Sequence, residues 1–218
     1  MYVAIIGDIR ASRKIDHRDQ TQMALYAVLE ELNTIYRDSI ASKFIITLGD
    51  EFQGLLSAAD QVLSMIRLIQ IRMYPVTIRF GIGIGELSTS MPSYRAIGAD
   101  GPAYHLGRSA IDELKANERR KPAPLANILI HAPQCESSFV QLMNTALSLM
   151  YAVQSTWTSR QHDVIARMLE SASTQAEVAR QLGLTQATVQ KHLAQANYYT
   201  YLNAQQVLEE VFNRLVGL

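Results

Sequence analysis

A chain of 218 residues, 48% of them apolar, has the material for one large buried core or two small ones and lacks the polar bias of a disordered protein. Its 20 basic and 20 acidic side chains cancel, with 15 of each in residues 1–150 and five of each in residues 151–218, so any nucleic-acid binding must come from local placement of charge. The single cysteine, Cys135, excludes an intramolecular disulfide and, without a Cys/His cluster, a structural zinc site. No basic segment followed by a long apolar run opens the chain, and no apolar run nears the roughly 20 residues that span a bilayer, so the expectation is a cytoplasmic protein with no membrane contact.

Residues 2–7 (YVAIIG) read as a buried strand that runs into Gly7-Asp8. Residues 17–38 follow with Met23, Leu25, Val28, Leu29, Leu32, Ile35 and Tyr36 at helical spacing. Residues 43–48 and 52–56 form two strands around the bend Gly49-Asp50-Glu51, which predicts a hairpin, and 59–73 is an amphipathic helix through Val62, Met65, Ile66 and Ile69. Pro75 ends that helix, because the residue before a proline is pushed out of the α region. "VTIRFGIGIGEL" is then a fourth strand, 88–98 a loop, 102–118 a helix and 126–131 a fifth strand. Gly83 and Gly85 are not a dinucleotide fingerprint, since no helix opens directly after them. The order β-α-β-β-α-β predicts the split βαβ or ferredoxin-like arrangement, with a further helix and strand appended.

In that arrangement the first strand neighbours the hairpin, so Asp8 and Asp50 are expected to meet at one edge of the sheet. Facing carboxylates repel unless a cation lies between them, and hard oxygen ligands suit Mg²⁺ held together with phosphates. The plainer reading is that Gly49-Asp50 is turn chemistry. Arg10, Ser12, Arg13 and Lys14, in the loop after the first aspartate, are the expected phosphate contacts, the alternative being a solvated loop. Glu51 is either a third metal ligand or an outward-pointing strand residue, since strand neighbours face opposite sides.

"GDIRASR", "TLGDEFQGLL", "IRFGIGIGEL" and "IGADGPAYHLGRSAIDEL" together resemble the bacterial SatD family over most of residues 2–115. That family's N-terminal part is similar to the palm-like catalytic domain of class III nucleotidyl cyclases and, more distantly, to GGDEF diguanylate cyclases. The resemblance implies a nucleotide with Mg²⁺ or Mn²⁺ as cofactor, Asp8 and Asp50 as metal ligands, and Arg108 as the arginine that stabilises charge on the phosphates if the chain is an enzyme. Two departures are visible: Tyr104 stands where the cyclases carry asparagine, and Ile46 where they carry the purine-contacting lysine. The spacing from Gly98 to Arg108 is also about two residues longer than theirs. Base selection by the usual cyclase residues is therefore not expected.

From Ser155 the texture changes to short helices. Thr174 with Glu177 forms a capping box, and Ala179, Gly183 and Val189 stand where a helix-turn-helix needs a small contact residue, a turn glycine and a returning aliphatic. Thr185 caps the next helix, which would expose Gln186, Ala187, Thr188, Gln190 and Lys191. The pattern resembles the helix-turn-helix of sigma-factor and LuxR-type domains, which implies Gln186, Thr188, Gln190 and Lys191 as DNA contacts. Tyr198, Tyr199 and Tyr201 read as packing at a helix junction. Val207, Leu208, Val211, Phe212 and Leu215 form a final apolar stripe that serves the core or, in part, a homodimer.

Together these readings give an α+β protein: a ferredoxin-like, palm or nucleotidyl cyclase-like domain over 1–150, followed by an all-α helix-turn-helix domain over 151–218. The expected function is a nucleotide- and Mg²⁺-binding sensor that reports to DNA as a homodimer. The rivals are a metal-dependent nucleotidyl cyclase or nucleotidyltransferase, and a DNA-binding regulator whose first half is a scaffold. In the last case the two aspartates are expected far apart, or salt-bridged to arginines.

Overall fold

The computed structural model describes residues 1–12, 16–86, 101–120, 125–170 and 174–216. The loop expected at 88–98, Gly98, Arg13 and Lys14 lie outside them, as does the side chain of Leu215. Two compact units are formed: residues 1–148 with Leu208 onwards, and residues 149–207. The last turns of the final helix therefore group with the first unit.

The first unit is built on a five-stranded sheet in the order β2-β3-β1-β4-β5. Its central strand, β1 (Tyr2–Ile9), is buried on both faces, which is why its sequence is almost continuously apolar rather than alternating. Helix α1 (Arg18–Ile35) buries Leu25, Val28, Leu29 and Leu32. Met23 and Ile35, expected in that stripe, are 66% and 57% exposed; Asn33 is buried instead. The reason lies in β2 (Ile40–Leu48), whose pairing with β3 (Glu51–Leu56) slips between Ser42 and Ile45. Phe44 sits in that irregularity. Its N–H donates to the Asn33 side chain at 2.8 Å and its carbonyl accepts from the same amide at 2.9 Å, so backbone groups that the ladder leaves over are satisfied from the helix.

The hairpin loop is Gly49-Asp50, with Gly49 at φ 56°. Helix α2 (Val62–Met73) buries Val62, Leu63, Met65, Ile66, Ile69 and Met73 and stops at Tyr74, whose ψ of 134° is the extended conformation that the following proline imposes. No side chain of its own caps its start. Glu209 does so from the last helix, accepting from the N–H groups of Leu63 and Ser64, both at 2.9 Å.

Strand β4 (Ile78–Gly85) is antiparallel to β1, and β5 (Ile128–His131) is parallel to β4, joined to it through α3 (Pro102–Arg119). The first four strands thus have the expected split βαβ order, every neighbouring pair antiparallel. The small residues of β4 serve a helix: a Cβ on Gly83 would lie 2.0 Å from the Ala103 carbonyl oxygen, and one on Gly81 2.1 Å from that of Gly107. Helix α3 therefore rests directly on the β4 backbone, over the sheet face that carries Ala4, Ile6 and Leu55. Helix α4 (Ser137–Gln154) follows β5, and its Asn144 pairs with both the N–H and the carbonyl of Ile130.

In the second unit α5 (Ser159–Glu170), α6 (Gln175–Leu182), α7 (Gln186–Gln195) and the first turn of α8 (Tyr198–Val216) enclose a core of Val164, Ile165, Val178, Ala179, Val189, Leu193, Ala196 and Tyr198. The Trp157 indole N–H donates to the Ala196 carbonyl at 2.8 Å and its ring meets Tyr201 edge-on. Among the described residues no helix is long and apolar enough to cross a membrane.

Candidate functional site: a neutral ion-pair chain at the end of the central strand

Asp8 stands at the end of β1 with two register partners, Glu51 on β3 and Arg79 on β4. Residues opposite one another in a sheet share a face, here the face beneath α3. The Asp8 side chain is 6% exposed, and a carboxylate so buried requires opposite charge beside it. It has two cations. Arg79 donates from Nη1 to Asp8 Oδ2, and Lys115 Nζ of α3 lies 2.7 Å from Asp8 Oδ1.

The chain of charge continues on both sides. Lys115 Nζ is also 3.5 Å from Glu51 Oε1. Arg79 donates from Nε and Nη2 to the two oxygens of Glu118, at 2.8 and 2.5 Å, and Arg10 lies 2.9 Å from the same carboxylate while donating to the Ala126 carbonyl at 2.7 Å. Glu51, Asp8 and Glu118 thus balance Lys115, Arg79 and Arg10. Burial works against charge on Lys115 and Arg79, but their acidic partners outweigh it and both titrate above their ordinary values. Burial likewise pushes Glu118 up, yet the Arg79 bond and the charges of Arg10, Arg79 and Lys115 hold it below the usual carboxylate value.

The other expected site residues are placed as follows. The backbone of Asp50 adjoins β1, its carbonyl accepting from Ile9 N–H at 3.1 Å, but its carboxylate accepts from the hydroxyl of Ser12. Glu51 is the acid that shares a cation with Asp8. Ser12 is buried beside Asp50, and Arg10 is directed to Glu118 and Ala126. Arg108 is exposed on α3, its guanidinium 3.3 Å from Gln53 Oε1. Tyr104 is buried beside Ser42, and burial pushes its phenol up to about 12. For a divalent cation this donor set does not fit. Both Asp8 oxygens face cations, Asp50 is bonded to a hydroxyl, and among the described residues no group of three His, Cys, Asp or Glu side chains is placed to hold an ion.

Arg79, Lys115 and Glu118 escaped the sequence reading. Arg79 hides in a strand otherwise read for its glycines, and the visible signal was the Lys115/Glu118 pair at i, i+3, seven and ten residues beyond Arg108 on the same helix.

The model of the SatD family matches residues 2–212. This chain belongs to the SatD family. No curated protein matches it. Among solved structures it is similar to the catalytic core of a rhodopsin-guanylyl cyclase with converted specificity in complex with ATPalphaS, at 16% identity and a TM-score of 0.35, covering 50% of this chain and 70% of that one. It is similar also to the guanylate cyclase domain of RhGC from Catenaria anguillulae in complex with GTP, at 18% identity and a TM-score of 0.33, covering 49% and 70%. For this SatD-family chain the split βαβ strand order carries the fold assignment.

The second unit presents a different surface. Thr174 and Glu177 form the reciprocal capping box at the start of α6, Gly183 takes φ 63° after its end, and Thr185 accepts from Thr188 N–H at 3.1 Å to start α7. Val189 and Leu193 face the core; Gln186, Ala187, Gln190 and Lys191 are exposed and Thr188 is half-buried. Gln190 Oε1 accepts from the Gln175 amide at 2.6 Å, which also donates to Tyr199 Oη at 2.8 Å. Tyr198 and Tyr201 are core residues as expected; Tyr199 is 49% exposed because its hydroxyl joins this surface chain.

Proposed function

We propose that this SatD-family chain is a DNA-binding regulator in which α6 and α7 act as a helix-turn-helix, α7 reads bases, and the first unit is a nucleotide sensor. The observation that carries this reading is the α6–Gly183–α7 geometry: two capped helices, a left-handed glycine between them, and a polar face on the second helix above a buried Val189 and Leu193. Gln186, Thr188, Gln190 and Lys191 are the proposed contacts. The small net charge of residues 151–218, five basic side chains against five acidic, argues for a homodimer, since two copies double the phosphate contacts and supply two half-sites. On the first unit, Arg108 is the proposed phosphate contact, with Arg13 and Lys14, which follow β1 in the sequence. A ligand there changes DNA affinity only by favouring one arrangement of the chain over another.

The test is selection of the full chain on a random duplex pool, followed by titration of the winning site with each nucleoside triphosphate present and absent. Enrichment of a two-half-site sequence supports the reading, and binding that is equal on all sequences removes it. An Arg108→Ala variant that keeps both nucleotide affinity and its effect on DNA removes the sensor.

A second reading makes the first unit a scaffold for the DNA-binding part, and the ion pairs of Asp8 with Arg79 and Lys115 favour it. It predicts no nucleotide binding at millimolar concentration. A catalytic reading would need those pairs opened, and it stands or falls on whether nucleoside triphosphate with Mg²⁺ or Mn²⁺ yields cyclic product or pyrophosphate.

A further inference from the structure

We infer that the ε-ammonium of Lys115 holds the place a divalent cation would need between Asp8 and Glu51, so that this centre is closed to Mg²⁺ and Mn²⁺ while the lysine is in position. Asp8 and Glu51 are register partners on one sheet face, and carboxylates so placed repel unless a positive charge joins them. Lys115 supplies it from the helix above, 2.7 Å from one acid and 3.5 Å from the other.

The two cations at Asp8 are held differently. Arg79 is locked, because Nη1 reaches Asp8 while Nε and Nη2 are bound by Glu118. Lys115 is a compact charge on a flexible stem, its side chain 31% exposed, so it is the partner able to withdraw. With Lys115 present the three acids and three cations sum to zero, and an added divalent ion would leave two uncompensated positive charges in a half-buried cluster. With Lys115 removed the cluster carries one net negative charge and offers hard oxygens of two carboxylates to one ion. This inference goes beyond the DNA-binding reading and does not depend on it, since no DNA enters its test.

The experiment is titration of the full chain with Mn²⁺, read by the spin resonance of the free ion, alongside thermal unfolding with and without Mn²⁺. Wild type is expected to show no saturable binding in the millimolar range and no change in Tm. Lys115→Met is expected to bind a single Mn²⁺ at least about tenfold tighter than wild type and to gain Tm on its addition, and a second change, Glu51→Gln, is expected to abolish that gain. The inference is overturned if wild type binds a single Mn²⁺ that Glu51→Gln removes, or if Lys115→Met binds no better than wild type. Should Lys115→Met unfold in chelator, refolding on addition of Mn²⁺ supports the inference and failure to refold overturns it.

Discussion

Asp8 and Arg79 face each other across the antiparallel pair of β1 and β4, and the guanidinium that reaches Asp8 is held from behind by both oxygens of Glu118. A buried pair of this kind adds little net stability over an apolar packing, but removing one partner strands the other in a place that water does not reach. Arg79→Ala leaves Lys115 as the described cation in contact with Asp8 and Arg10 as the one in contact with Glu118. It is expected to lower stability by about 3 kcal/mol, seen as a lower urea midpoint at unchanged slope. Loss below about 1 kcal/mol would mean the chain of charges is solvated.

Acid titration separates two carboxyls of opposite sign. Glu118 is held below its ordinary value of 4.5 because its cationic partners outweigh burial, so its contribution is complete above that pH and is lost as pH falls through its folded value. Glu209 is raised above 4.5 because burial outweighs the bonds from Leu63 and Ser64, so its contribution is complete below that pH and is lost as pH rises through its folded value. Stability measured by urea on both sides of pH 4.5 is expected to lose part of its acid limb in Glu118→Gln. In Glu209→Gln the decline above 4.5 is expected to shrink instead. Identical profiles for the two variants would contradict both assignments.

The strand order, the caps of α6 and α7 and the position of Asp8 were all legible in the sequence because each depends on local signals: apolar runs, Thr174 three residues before Glu177, a glycine after an amphipathic helix. Which acid meets Asp8 was not. Glu51 and Asp50 differ by one residue, and a one-residue difference in register moves a side chain to the other face. Arg79 escaped for the same reason, since knowing that it opposes Asp8 requires the β1–β4 register, which the long connection between them does not reveal. The buried Asn33 shows the converse: a polar residue drawn into a helix stripe by an irregularity in a strand eleven residues away.

Helix α3 carries Lys115, Glu118 and Arg108, and its seating on β4 depends on the absence of side chains beneath it. A Cβ at Gly83 would lie 2.0 Å from the Ala103 carbonyl oxygen and 2.4 Å from the Gly107 nitrogen, both backbone atoms of the helix. Gly83→Ala is therefore expected to displace α3 and to destabilise the first unit by about 3 kcal/mol. Gly183→Ala offers a control in the second unit. There a Cβ meets nothing within 4 Å, and the strain of φ 63° alone applies, about 1 kcal/mol. Urea unfolding of the two variants checks the order, and a smaller loss at Gly83 than at Gly183 would mean the helix has room to move.

On α7 the neighbours Gln190 and Lys191 are both exposed, and the proposed DNA-binding role gives each a different expected effect. An amide is able to read a base edge, so Gln190→Ala is expected to cost about 1–3 kcal/mol on the selected site and to relax preference at one base pair. An ammonium reads phosphate, so Lys191→Ala is expected to weaken all sequences alike and to reduce the salt slope by about one unit. Gln175 adds a third arm: its amide holds the Gln190 oxygen at 2.6 Å while bonding Tyr199, so in the proposed interface it acts by positioning Gln190. Gln175→Ala is expected to relax the same base preference as Gln190→Ala while leaving the salt slope unchanged, which a loss of charge contact would not do. Equal weakening of every sequence by all three variants would mean that α7 touches the backbone only, and the base-reading assignment would then fall while phosphate binding stood.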